Sequence, residues 1–125
     1  MSAAQVFADV LVGIVAAEHV YIMFLEMVLW TTARGRAVFG TTQEQAEQSA
    51  VLAKNQGLYN GFLAAGLAWS LITTSTEAAF EFKLVFLGCV VVAAVFGGLT
   101  VSRRILLVQG GPALLALVFV LVGGR

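Results

Sequence analysis

The stretch VLVGIVAAEHVYIMFLEMVLW, residues 10–30, decides the fold. A hydrocarbon layer about 30 Å thick takes roughly 20 mostly apolar residues to cross as a helix, and this run meets that length. Period-two alternation is absent, so it reads as helix and not as barrel strand. Residues 3–9 form an interfacial lead-in, and the first nine residues hold Asp9 but no Lys or Arg. A cleaved signal peptide would begin with positive charge, so the first helix is expected to stay. Yet the run carries Glu18, His19 and Glu26, and ionisable groups inside a membrane are costly and face a bundle interior or a cavity.

Three further apolar runs follow, at residues 57–75, 82–100 and 105–124, with Lys83 close enough to the end of its run to snorkel. Of the 125 residues, 60% are hydrophobic and only 11% charged, against about 25% charged in a soluble domain. So few charges cannot cover a globule of this size in water, and the expected partner of the surface is the lipid bilayer. Seven basic and seven acidic residues balance, which argues against nucleic-acid binding, since that needs a basic surplus. The length fits one domain, residues 1–125. The expected fold is all-α: a four-helix transmembrane bundle with an amphipathic cytoplasmic segment between the first and second helices.

Residues 76–81 and 101–104 read as tight turns, which make successive helices antiparallel neighbours. The long connection, residues 31–56, is the most polar part of the chain. It opens on a turn-like basic stretch with Arg34 and Arg36. Thr42 with Gln45, or Thr41 with Glu44, then reads as a capping box. The helix begun there either runs into the second span or bends near Gly57. Four spans put both termini on one side, with Lys83 and Arg125; Arg34, Arg36, Lys54, Arg103 and Arg104 share the other. The positive-inside rule then places the long connection in the cytoplasm and the termini outside the inner (plasma) membrane.

Helices in lipid associate through small residues and polar contacts. Gly57, Gly61 and Ala65 recur every four residues, as do Cys89, Ala93 and Gly97, and Gly13 with Ala17 makes a shorter stripe. These are expected to bring helices of one bundle together, with homodimerisation through one of them as the other use. Cys89 is the only cysteine, so it has no internal disulfide partner and reads as a small packing residue. Pro112 is expected to kink the fourth span near Val108.

At 100° per residue, Glu26 lies about 80° from Glu18 and 20° from His19, so the three share one sector of the first helix. Gln56, Tyr59 and Asn60 on the second span, and Arg103 and Gln109 on the fourth, fall in the same half of the bilayer. This set is the candidate ligand or proton site. Under one reading it is a cavity binding or moving a small polar solute, ion or proton, with Glu18 as the titrating group and His19 as relay. Under a second it is a satisfied network in a structural or accessory subunit, where Arg103 or Arg104 neutralises Glu26 and the amides bridge helices. A third reading, a membrane-embedded enzyme acting on a lipid or quinone, finds no nucleophile–base pair, phosphate loop or cofactor motif. No cofactor is indicated, and no metal site, because HExxH and paired ExxH spacings are missing.

The motifs Glu18-His19-Val20-Tyr21-Ile22, Leu25-Glu26-Met27, Trp30-Thr31-Thr32, Arg34-Gly35-Arg36 and Phe39-Gly40 resemble those of a family of small bacterial integral membrane proteins. So do Asn55-Gln56-Gly57-Leu58-Tyr59-Asn60-Gly61 and the later Gly98-Leu99-Thr100-Val101-Ser102-Arg103 with Gln109-Gly110. The family is known as domain of unknown function 1304, and the resemblance spans essentially the whole chain. It implies a compact four-helix membrane protein. It carries over no activity, substrate or catalytic residue.

Overall fold

A computed structural model describes all 125 residues and is entirely helical, with no strand. Five helices follow one another: α1 (Ala3–Met27), α2 (Ala33–Phe39), α3 (Gln43–Ile72), α4 (Thr76–Thr100) and α5 (Arg103–Gly123). Of these, α1, α4 and α5 are long and apolar enough to cross a membrane. α3 is the longest, at 30 residues. Its first half is polar, and residues 57–72 alone give about 24 Å of apolar helix at roughly 1.5 Å per residue.

The helix ends follow local chemistry, and several differ from the expected bounds. α1 includes the lead-in and stops at Met27, where the amides of Val28 and Leu29 both reach the Phe24 carbonyl, each at 3.0 Å. The basic stretch after it is a helix and not a turn. Thr32 caps α2 by accepting from the Gly35 amide, and Gly40 ends it at φ 67°, a left-handed conformation that suits glycine. α3 opens with the capping box Thr42/Gln45, its two bonds measuring 2.9 and 3.1 Å, and it continues through Gly57 without interruption. It ends at Ile72, short of residue 75. Residues 76–81 are the first turns of α4, because the Ser75 hydroxyl accepts from the Ala78 amide at 3.1 Å and Glu77 suits the positive end of the helix. In α5 the effect of Pro112 appears as a π-helical segment, Leu106–Gly110. Proline offers no N–H to the carbonyl four residues back, and the widened turn absorbs the defect.

The chain divides into two compact units, one made of Met1–Glu18 with Leu63–Arg125 and the other of His19–Phe62. In the first, Val12, Val15, Leu67, Leu87, Val90, Ala116 and their neighbours form a closed apolar core. A Cβ on Gly66 would collide with the Phe86 ring, so α3 and α4 approach closely there. In the second unit, Ile22, Leu25, Ala46 and Ala53 are buried. Trp30 donates from Nε1 to Ser49 Oγ at 3.0 Å and lies 4.7 Å from the Phe39 ring. Arg34 donates from Nη2 to Tyr21 Oη at 2.6 Å while its guanidinium lies over that ring.

Candidate functional site

α1 presents one buried seam. Ala8, Val12, Val15, His19, Ile22 and Glu26 recur at alternating steps of four and three and are all buried, the spacing that keeps side chains on one helical face. His19 is 1% exposed and Glu26 5%. Two polar side chains therefore stand where the rest of the seam is apolar.

Within His19–Phe62, Asn60 Nδ2 donates to Glu26 Oε1 at 2.5 Å. Glycines on α3 permit this approach. A Cβ on Gly57 would lie 2.5 Å from Met27 Cγ and 3.1 Å from both Glu26 Cβ and the Met23 carbonyl oxygen; one on Gly61 would lie 2.8 Å from Met23 Sδ. Short side chains on α3 bring its backbone onto α1, and Asn60, between the two glycines, delivers its amide to the carboxylate. Burying a carboxylate without a donor is expensive; here one donor comes from the neighbouring helix.

The remaining residues of the expected site are placed differently from one another. Glu18 is half-buried, and its Oε1 is buried without a hydrogen-bond partner. Gln56 and Tyr59 are exposed, the Tyr59 ring lying edge-on to Phe62 at 6.1 Å. Arg103 and Arg104 are exposed at the start of α5, and Gln109 is half-buried in its π segment. Among the small-residue positions, a Cβ on Gly97 would press on Ile105 at 2.8 Å, whereas Ala65, Cys89 and Ala93 are exposed. No group of three or more His, Cys, Asp or Glu side chains is close enough to hold a metal ion.

A second polar feature lies in the unit formed by Met1–Glu18 and Leu63–Arg125. Lys83 Nζ pairs with Asp9 Oδ1 at 2.6 Å, their side chains 15% and 32% exposed. The pair lines a cavity of about 430 Å³ together with Ser70, Thr73, Thr76 and Phe80. Gln5 Nε2 donates to the Arg125 carbonyl at 2.9 Å beside it. Sequence reasoning treated Asp9 as an interfacial residue and Lys83 as a snorkelling one. The available signal was that opposite charges, Asp9 and Lys83, stand at the starts of two spans expected to begin on the same side.

Residues 13–121 match a family described as "Protein of unknown function (DUF1304)". The "Uncharacterized protein YpaA" of Lactococcus lactis is 38% identical over 107 residues, covering 84% of this chain and 88% of that protein. No solved structure matches. From Gly13 to Leu121, across both polar features' helices, this chain belongs to the DUF1304 family.

Proposed function

We propose that this chain is an integral membrane protein whose Glu26–Asn60 pair is first of all an interhelical lock, as in a structural or accessory subunit. Apolar side chains such as Phe7, Ile14, Val92, Leu99, Leu114 and Leu121 point away from the protein. A lipid surround gives that surface a solvent, where water would not. Four crossings are favoured by connectivity within the unit of Met1–Glu18 and Leu63–Arg125. Asp9 near the start of α1, Ser70 near the end of α3, Thr76 at the start of α4 and Val120 near the end of α5 line one cavity. α1 and α4 both leave that end, so the C-terminal part of α3 returns the chain to it. With four crossings, five basic residues against two put the long connection in the cytoplasm and both termini outside the plasma membrane. In intact cells, a cysteine at the exposed Gln48, in a Cys89→Ser background, will resist an impermeant thiol reagent; labelling there reverses this orientation.

The observation that carries the lock is the Asn60-to-Glu26 hydrogen bond beside the Gly57 contact. Gln at position 26 can still accept from Asn60, so Glu26→Gln will keep the detergent-purified fold while Asn60→Leu loosens it. Proton flux in proteoliposomes supplies the opposing test: flux abolished by Glu26→Gln with the fold intact would make the carboxylate a carrier of protons. Glu18 favours that second reading, a site for a small polar solute or proton, because its Oε1 is buried with no partner in the protein. A thermal shift with a small solute that Glu18→Gln removes, without loss of the bundle, would establish it.

A further inference from the structure

The Asp9–Lys83 cavity has the size and composition of a ligand site. At about 430 Å³ it falls within the roughly 300–1,000 Å³ typical of small-molecule pockets. Its wall offers a carboxylate and an ammonium 2.6 Å apart, hydroxyls from Thr73, Thr74 and Thr76, and aromatic surface from Phe80 and Phe119. Thr74 and Thr76 are exposed, so the cavity can be reached from outside the protein. Arg125 also lines it, with its guanidinium 5.7 Å from the Phe80 ring centre.

The charges select the ligand. Arg125 has its own carboxylate partner, Glu77, at 3.7 Å, so a lone anion entering at Lys83 would have to face Asp9, and a lone cation at Asp9 would face Lys83. Either would leave one charge of the pair facing only the water of the cavity, so neither gains over the internal pair. A molecule that carries both an ammonium and an anionic oxygen group exchanges one internal ion pair for two intermolecular ones and strands no charge. We infer that this cavity binds a small zwitterion, its ammonium on Asp9 and its anionic group on Lys83, its apolar part against Phe80 and Phe119. Phosphoethanolamine has this chemistry, and it occurs both as a free solute and as the headgroup of phosphatidylethanolamine.

The test uses the full chain in detergent, with thermal unfolding and native mass spectrometry. O-phosphoethanolamine will raise the unfolding midpoint of the wild type, and inorganic phosphate or ethanolamine alone at the same concentration will not. The double variant Asp9→Asn/Lys83→Gln replaces the ion pair by two amides and strands no charge, so it is expected to fold; in it, the affinity for O-phosphoethanolamine will fall by at least roughly tenfold. If that variant does not fold, Thr74→Val at the exposed rim serves instead, with an expected loss of about threefold. Retention of phosphatidylethanolamine over phosphatidylglycerol by the wild type, lost in the double variant, assigns the ligand to the lipid; a shift with the soluble probe and no lipid preference assigns it to the free solute. Equal binding of phosphate, ethanolamine or glycerol, or equal zwitterion binding by wild type and the folded variant, overturns the inference. No residue of the Glu26–Asn60 pair is involved, so either result leaves the lock to its own test.

Discussion

The chain holds two carboxylates with partners on other helices, Glu26 buried and Asp9 half-buried, and it treats them in opposite ways. Glu26 is closed in: 5% exposed, bonded to a neutral amide, with Gly57 bringing the α3 backbone onto its own Cβ. Asp9 pairs with a full charge, yet that pair sits on the wall of a cavity that an exposed threonine rim makes reachable. The contrast separates two uses of a polar group in an apolar chain. Where glycines bring a neighbouring helix onto it, the group meets an amide of that helix. Where space remains beside an ion pair, the pair can exchange its partner for a ligand.

The largest expected effect attacks the closed region through its backbone. Gly57→Val forces α1 and α3 apart, because a Cβ there already meets Met27, Glu26 and the Met23 carbonyl. Overfilling of this kind costs about 3 kcal/mol, to be read from unfolding in detergent with a graded denaturant. A loss under 1 kcal/mol, on the order of a surface change, would mean that the approach is slack and the closed description wrong.

Asn60→Leu comes next. It removes the amide donor from a buried carboxylate and will cost about 2 kcal/mol, while Glu26→Gln will cost roughly 0.5 kcal/mol since the amide oxygen still accepts. Equal losses in the two variants would show that the bond depends on the carboxylate's charge and not on an acceptor oxygen alone. An effect smaller than that of Asn60→Leu is expected in the open region. Lys83→Met leaves Asp9 beside a cavity that water can enter, so its cost will be about 1 kcal/mol. A loss as large as that of Asn60→Leu would show that Asp9 is as sealed as Glu26, and the distinction between the two regions would collapse.

Much of this was legible in the residues themselves. The apolar runs mark α1, α4 and α5 by length alone. Thr42 and Gln45 mark the start of α3, since a capping box is a contact between residues three apart and needs no tertiary information. The sector shared by His19 and Glu26 follows from helical periodicity, and both are buried. What escaped was local in another sense. α2 was masked by its glycine and arginines, although Thr32 and Gly40 supply a cap at each end. The start of α4 was hidden because Glu77 and Glu81 looked like turn residues, while Ser75 makes them the polar first turns of a helix.

The apolar runs and their lack of alternation determined by themselves that the chain is helical and that three of its helices are long and apolar enough to cross a membrane. These properties sum over many residues and tolerate errors at any one of them. Tertiary structure alone decided which polar residues meet. Glu26 takes Asn60 from a helix whose glycines let it near, Asp9 takes Lys83 from α4, and only the second pair is left beside open space. Helical periodicity fixes the direction of a side chain on its own helix to within tens of degrees. A hydrogen bond or ion pair needs two groups within about 3 Å, and that distance depends on how closely two separate helices approach.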